Sequence, residues 1–284
     1  MKSILKIMVA AGILAAFVPT SPAQTSVTSV TNVVTVLVTN VVTITNVVVA
    51  APAPAPAPAP AAAAVEMEKK YPWASSITAG LTMTRGNSQS LLYSAEIMTT
   101  KKTPKNEYTF GLLGAYGNQN SVESVNNYKA FGQWNHLFSD KFYSYVHADA
   151  TRDLIANLDY RLNVGPGAGY YLIKEKNTSL STEAGVGYQN EHLGGNYNSF
   201  ATVRLAESFE HKFGTVARVW QTVELLPQVD NFDNYIVNFE IGVEAAISKS
   251  LSLKTALDDA FQNQPAAGRR QNDVKLVSGI VYKF

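Results

Sequence analysis

The feature that most constrains the fold of this chain is an alternation of apolar and polar residues that recurs through residues 73–284. Apolar side chains at every second position lie on one face of a β-strand. In the final segment one face carries Lys275 and Lys283, and the other carries Val274, Leu276, Ile280, Tyr282 and Phe284. A strand that is apolar on one side and ends in aromatic residues is typical of the last strand of an outer-membrane barrel.

The same alternation repeats in short segments that are separated by turn residues. It is clearest in residues 160–172, where apolar side chains alternate with Arg161, Asn163 and three glycines. We count about twelve segments, an even number as in single-chain barrels. We therefore predict an all-β fold, a transmembrane antiparallel up-and-down β-barrel of about twelve strands over residues 73–284. A soluble β-sandwich or a lipocalin-like barrel is the alternative.

The connections between segments alternate in predicted length. Short ones are predicted at 138–141, 173–177, 211–215 and 247–250, and longer polar ones at 118–126, 190–198, 227–234 and 263–270. Short periplasmic turns and longer outer loops produce this rhythm. None of the longer loops exceeds about ten residues, so we expect none to fold inward as a plug.

Two positions conflict with the simple pattern. Glu207 shares a face with Leu205 and Phe209, where a carboxylate would face lipid. We expect it to lie near the membrane interface, or a bulge to shift the register there. Pro166 lies inside a predicted strand and has no N–H to donate, so a local irregularity is expected.

The segments before the barrel predict export and a spacer. Residues 1–23 have the features of a secretory signal peptide, with Lys2 and Lys6 before an apolar run and a small-residue cleavage site at 21–23. Residues 51–72 form an Ala-Pro linker and a charged approach to the first strand, and alternating prolines favour an extended spacer. We expect the mature chain in the outer membrane of a Gram-negative-type bacterium, exported by the general secretory route, with its N-terminal segment in the periplasm.

Residues 24–50 form an imperfect Val/Thr repeat whose structure stays open. Apolar residues step by three and four from Val27 to Val48, which is the seam of a coiled coil. Nearly every residue is β-branched, however, and such residues favour strands. We expect a segment that self-associates through residues 27–48, as helices or as strands, and the alternative is a poorly ordered tail.

Composition excludes several kinds of chemistry. The chain has no Cys, which rules out disulfides and thiolate sites, and its net charge of +1 gives no reason to expect nucleic acid. His147 and Asp149 lie two apart on one predicted inward face, but no nucleophile-elbow serine or His-Glu metal pattern accompanies them. His136, His192 and His211 lie near strand ends. We predict no catalytic residue, no metal site, no cofactor and no enzyme activity.

The predicted inward face is polar and carries both signs of charge. The lumen-facing candidates are Glu96, Lys129, His147, Asp149, Arg161, Glu183, Arg204, Arg218, Glu224, Glu240, Glu244, Lys254 and Lys275. Eight strands are filled by side chains and sixteen leave a channel, so about twelve falls between. The expectation is a small pore for ions or small solutes. The alternatives are a closed structural barrel that anchors the N-terminal segment and a ligand-binding or lipid-active barrel.

Several motifs resemble a bacterial family labelled salt-induced outer membrane protein, which is domain of unknown function 481. They are Asn-Val-Gly-Pro-Gly-Ala-Gly-Tyr at 163–170, Glu-Ala-Gly-Val-Gly-Tyr at 183–188, Phe-Glu-His-Lys at 209–212 and Thr-Arg-Gly-Asn-Ser at 84–88. The resemblance implies an outer-membrane barrel of unassigned activity, with no catalytic residues to carry over. Separately, Ile280, Tyr282 and Phe284 are the expected signal to the insertion machinery, with outer-membrane lipid as the other expected partner.

Overall fold

The structure is a computed structural model that describes residues 71–85 and 89–284. Within these residues, twelve antiparallel strands form a closed barrel in which each strand pairs with its sequence neighbours and the last pairs with the first, as predicted. The strands are β1 (Ala74–Thr84), β2 (Ser90–Lys102), β3 (Asn106–Gln119), β4 (Val122–Leu137), β5 (Phe142–Asp153), β6 (Leu158–Lys174), β7 (Thr178–Leu193), β8 (Asn196–Phe213), β9 (Ala217–Pro227), β10 (Tyr235–Ala246), β11 (Leu251–Gln262) and β12 (Asn272–Lys283). No helix in these ranges is long and apolar enough to cross a membrane. The predicted signal peptide (1–23), the repeat (24–50) and nearly all of the linker (51–72) lie outside the described residues.

The alternation in the sequence decides which side chains face out. On β3, Phe110 and Leu112 are exposed on the outer surface, whereas Glu107 and Ala115 are buried on the inner one. Paired registers keep this division from strand to strand, because directly opposite residues share a face. The result is an apolar outer surface around a polar interior, as in barrels that stand in lipid.

The seam between β1 and β12 is closed at the chain terminus. The register runs from Ser76 opposite Lys283 to Gly80 opposite Gly279. Beyond it, the N–H of Ser75 donates to the carbonyl of Phe284 at 3.0 Å, and the N–H of Phe284 donates back at 2.9 Å. The backbone of the terminal residue therefore completes the barrel at this end.

Two of the connections that were predicted to be long, β3–β4 and β7–β8, are much shorter in the structure. Strands β3 and β4 continue to Gln119 and from Val122, and β7 and β8 continue to Leu193 and from Asn196. Only two residues turn the chain in each hairpin, and both residues of each turn have positive φ, as a type I′ turn requires. The prediction of loops at 118–126 and 190–198 is therefore wrong. These residues are mostly polar on both faces of the strand, but their backbones still form the ladder of hydrogen bonds.

The connection from β11 to β12, residues 263–271, folds inward across the barrel mouth. Ala266 is buried against Leu158 of β6 and Leu193 of β7, which belong to the opposite wall. The prediction that no loop of this length folds inward is therefore wrong here. The length of the connection does not decide whether it folds inward, because the small apolar side chain of Ala266 is buried against apolar residues of the opposite wall.

Glycines on the inner face lie directly opposite large aromatic residues. Tyr145 is paired with Gly167 and Tyr143 with Gly169. A Cβ added to either glycine would lie 2.2–2.3 Å from the facing ring. Phe131 beside Gly111 and Trp220 beside Gly242 repeat the arrangement, so missing side chains on one strand make room for rings on the next.

The two conflicting positions have different outcomes. Glu207 lies opposite Thr182 and Val223 with no register shift on either side, so the explanation by a bulge is wrong. It is exposed on the outer face, and Thr182 is itself opposite Tyr170, one of the aromatics near a strand end. At Pro166 the pairing of β6 with β7 is interrupted, because neither Gly165 nor Pro166 has a partner there, while the register on both sides is unchanged.

Candidate functional site

The centre of the lumen is organised around Arg204 of β8. Its Nη1 donates to Oε2 of Glu183 on β7 at 2.6 Å, and its Nε donates to Oε1 of Glu224 on β9 at 2.6 Å. The guanidinium carbon lies 5.1 Å from the ring centre of Tyr145. The three charged side chains are only 11–15% exposed, so solvent screens these contacts weakly. We call Glu183, Arg204 and Glu224 the Arg204 cluster.

The Arg204 cluster extends to the neighbouring walls through hydrogen bonds. Glu183 Oε1 accepts from Tyr143 Oη at 2.8 Å and from Gln133 Nε2 at 2.7 Å. On the other side, Asn238 Nδ2 donates to Glu224 Oε2 at 3.0 Å. One connected set of polar groups therefore reaches from β4 to β10 across the interior.

His147 belongs to the same set and is fully engaged. Its Nδ1 lies 3.1 Å from Gln133 Oε1, and its Nε2 lies 3.3 Å from Asp149 Oδ1. A general base needs one free ring nitrogen within reach of a nucleophile. Both ring nitrogens of His147 instead lie beside oxygen acceptors of the network. Among the described residues, no group of three or more His, Asp or Glu side chains is placed to hold a metal ion.

A second layer lies toward the end of the barrel that carries the β7–β8 hairpin and the 263–271 connection. Arg161 Nε donates to Glu191 Oε2 at 2.8 Å, and Arg161 Nη2 donates to Gln262 Oε1 at 3.0 Å. Because Arg161 is on β6 and Gln262 ends β11, this side chain joins opposite walls. Gln189 Nε2 adds a bond to Glu191 Oε2 at 3.1 Å. We call this layer the Arg161 bridge.

A third layer lies at the opposite end of the barrel, where β9 begins and β10 ends. Arg218 contacts Glu244 at 2.9 Å and Glu210 at 3.0 Å, and Lys283 also pairs with Glu244. Tyr171 Oη donates to Glu107 Oε2 at 2.6 Å. Salt bridges and short hydrogen bonds thus occur along the whole lumen, with a different set of strands in each layer.

The structure brings some of the predicted lumen residues together and pairs others with residues that were not predicted. Predicted residues that contact one another are Glu183, Arg204 and Glu224, then His147 and Asp149, Arg218 and Glu244, and Lys254 and Glu96, the last pair at 2.7 Å. Glu240 accepts instead from Trp220 Nε1, Lys275 donates to Asn127 at 3.4 Å, Arg161 meets Glu191, and Lys129 lies 5.9 Å from the ring centre of Phe131.

The interior residues that sequence reasoning missed are mostly aromatic or paired acids. They are Glu107, Glu191, Glu210, Tyr143, Tyr171, Trp220 and Gln133. A signal for two of them was present, because Tyr143 and Trp220 each face an inward glycine of the next strand. The remaining three histidines lie at strand ends among aromatic rings: His136 beside Trp134, His192 beside Tyr197 and His211 beside Phe213.

Beyond the Arg161 bridge, at the same end of the barrel, lies a vestibule of about 480 Å³. Its lining comes from the β7–β8 hairpin and from the connections 228–234 and 263–271, and comprises Glu191, Leu193, Tyr197, Asn198, Ser199, Phe200, Gln228, Asn231, Asn234 and Gln264. The vestibule is rich in side-chain amides, whereas the layers below it are ionic.

Comparisons with solved structures return bacterial outer-membrane barrels. The NanC porin is 6% identical, with 74% of this chain and 98% of that chain covered and a TM-score of 0.47. An outer membrane channel from Pseudomonas putida F1 is 8% identical over 75% and 95%, with a TM-score of 0.46. The translocator domain of the autotransporter NalP from Neisseria meningitidis is 14% identical over 75% and 87%, with a TM-score of 0.39. At these identities and TM-scores, the similarities do not bear on what the chain does.

No curated protein sequence matches the chain. A family model does match, over residues 77–284, which is nearly the whole barrel and begins within β1. This confirms the resemblance drawn from the glycine-tyrosine motifs. The chain belongs to the family described as protein of unknown function, DUF481.

Proposed function

We propose that this protein is a narrow outer-membrane channel for ions and small solutes, with the Arg204 cluster as its constriction. The observation that carries the proposal is the lumen itself, which is lined by layered ion pairs from the periplasmic side to the Arg161 bridge. Ionisable side chains at membrane depth are expensive and mark pathways for ions or polar substrates.

Stability alone gives a poor reason for such an interior. Replacing a buried ion pair by packed apolar residues is often neutral or stabilising by about 1–4 kcal/mol. A barrel that served only as an anchor could therefore be filled with apolar side chains at no loss. Charged groups that can exchange partners instead give a permeating ion or a polar solute successive sites of interaction.

A closed barrel is the second candidate, and a specific observation favours it. Tyr143 and Tyr145 are only 1% and 3% exposed, and the 263–271 connection covers part of the mouth. In that case the barrel anchors the N-terminal segment, and the ion pairs fill the interior without passing anything.

The location and partners belong to the same proposal. The apolar outer face supports placement in outer-membrane lipid, and the exposed rings of Tyr282 in β12 and Phe284 just after it support recognition by the insertion machinery. We also propose that the chain is exported by the secretory route, that its N-terminal segment lies in the periplasm, and that it self-associates through residues 27–48. Crosslinking the mature chain beside a chain that starts at Glu66 tests the self-association, and identical species from both would reject it.

Planar-bilayer recording on the full mature chain tests the channel. We expect small discrete current steps from the native protein and larger ones from the triple variant Glu183→Gln, Arg204→Met, Glu224→Gln, which breaks the ion pairs that hold the constriction together without leaving a lone charge. Arg152→Gln, at an exposed position of β5, is the matched control and should conduct as the native chain does. Silence from folded, inserted native and triple-variant protein would reject the channel and favour the closed barrel.

A further inference from the structure

We infer that the outer vestibule is a binding site for small, uncharged, polyhydroxylated solutes such as monosaccharides. This inference names the solute class of the proposed channel and rests on that function. Its volume of about 480 Å³ falls within the roughly 300–1,000 Å³ of small-molecule sites.

The chemistry of the vestibule favours neutral ligands. Among the described residues that line it, Glu191 alone is charged, and its carboxylate is 2% exposed and paired with Arg161. Most of the accessible polar groups are side-chain amides, including those of Asn198, Asn231 and Gln264, and the others are the hydroxyl groups of Tyr197 and Ser199. Each amide both donates and accepts hydrogen bonds, as a hydroxyl group does, and none supplies a net charge to attract an ion.

The walls and floor of the vestibule are held in place by hydrogen bonds. Asn234 Nδ2 donates to Gln228 Oε1 at 2.7 Å, and Gln228 Nε2 donates at 2.7 Å to Oδ1 of Asp230, a residue outside the lining. In the floor, Gln262 accepts from Arg161 and donates to the carbonyl of Gln264 at 3.0 Å. A site held in this way loses little conformational freedom when a ligand binds.

Oxygen atoms that can accept hydrogen bonds also lie deeper in the barrel than the Arg161 bridge. Gln189 Oε1, Asn163 Oδ1 and Thr202 Oγ1 are buried and have no hydrogen-bond partner among the described residues, and the three side chains are 1%, 5% and 1% exposed. The amide nitrogen of Gln189 is bound to the Glu191 carboxylate, which fixes the orientation of its oxygen.

Two of these oxygens, those of Thr202 and Asn163, lie close to Gly187 of β7. A Cβ built on Gly187 would lie 2.8 Å from Thr202 Oγ1 and 2.9 Å from Asn163 Oδ1. Unpaired buried acceptors are costly, and a ligand that donates hydrogen bonds relieves that cost. Gly187 leaves just enough room for the Thr202 and Asn163 side chains, so a hydroxylated solute would pair with their oxygens only after these side chains shift.

Isothermal titration calorimetry on the full mature chain in nanodiscs tests the site. Glucose is the probe, and gluconate and glucosamine are charged probes of similar size. We expect weak binding of glucose with a dissociation constant of ~1 mM, and binding of each charged probe weakened at least about tenfold. The pair of substitutions Asn198→Leu and Asn231→Leu should weaken glucose binding at least about tenfold, since two amides are lost.

The control variant is Gln119→Leu, which removes an exposed amide from the β3–β4 hairpin and should bind glucose normally. Heat-modifiable migration in gels verifies that every variant is folded. Absent glucose binding, equal binding of gluconate, or full binding by the Asn198→Leu, Asn231→Leu variant would overturn the inference. Bilayer currents separate the two proposals, because glucose binding without currents rejects the channel alone, and currents without glucose binding reject the site alone.

Discussion

Removing the cation at the centre of the lumen should destabilise the barrel by several kilocalories per mole. Arg204→Met leaves Glu183 and Glu224 without the guanidinium that lies 2.6 Å from each carboxylate. Both acids are at most 15% exposed, so water replaces the lost partner poorly. Breaking a buried ion pair by removing one partner costs about 3–5 kcal/mol. Loss of the contact with the Tyr145 ring adds ~1 kcal/mol.

Neutralising the two carboxylates should recover most of this loss. The triple variant Glu183→Gln, Arg204→Met, Glu224→Gln keeps acceptors for Tyr143 and Asn238 and removes the unpaired charges. Replacing a whole buried ion-pair group by neutral residues is often neutral to stability. We therefore expect the free energy of unfolding of the triple variant to lie within about 1–2 kcal/mol of the native value, although the triple variant carries more substitutions than Arg204→Met.

Reversible urea unfolding in lipid vesicles, followed by tryptophan fluorescence, measures the difference. A loss of 3 kcal/mol changes the folding constant by more than about 100-fold. Arg152→Met, on the exposed outer side of β5, is the matched control and should change the free energy of unfolding by less than ~0.5 kcal/mol. The reasoning is refuted if Arg204→Met loses less than about 1 kcal/mol, or if the triple variant is as unstable as the single one.

Three further changes test other parts of the structure. Gly242→Val should lower the folded fraction, because a Cβ there would lie 2.1 Å from the Trp220 ring, and adding Trp220→Ala should restore that fraction. Unchanged heat-modifiable migration of the Gly242→Val variant would contradict this prediction. Ala266→Asp should release the 263–271 connection from Leu158 and Leu193 and raise single-channel conductance, and unchanged conductance would show that this connection does not restrict flow. Deleting Phe284 removes the backbone pair with Ser75 and should reduce outer-membrane levels in cell fractionation, and normal levels would exclude it as an assembly signal.

The sequence predicted the barrel because the alternation is a local property. Residues such as Val164 and Arg161 are assigned to opposite faces by parity alone, and the structure places them so. Parity does not tell which inward side chains meet. Arg161 contacts Gln262, 101 residues away along the chain, and that pairing depends on how wide the closed barrel is. Which side chains can reach each other across the lumen depends on the dimensions of the closed barrel, and the sequence of a single strand does not determine these.

The course of the outer connections was hidden for a different reason. The segment at 190–198 is polar on both faces, so period two gives no contrast there, although the glycines at 194 and 195 permit a two-residue turn. The inward course of 263–271 depends on Ala266, a residue too small and too common to mark a core position by itself. Inward glycines opposite aromatics are the more useful signal, because both members of the pair are visible once the register is assumed.

The two kinds of contact in the lumen differ in how readily they can open. A ring seated over a glycine, as Tyr145 is over Gly167, is confined by backbone on one side, and moving it away exposes apolar surface. A guanidinium between two carboxylates can rotate from one to the other and keep half of its electrostatic energy. At an effective dielectric constant of about 20, one such contact at 4 Å amounts to roughly 4 kcal/mol before hydration repays part of it. Partial release of Arg204 is therefore within reach of thermal motion, whereas release of the tyrosines is less so. In the proposed channel, the aromatic-glycine pairs limit how far the lumen can change its width, and the ion pairs of the Arg204 cluster form the constriction that selects the ions and solutes.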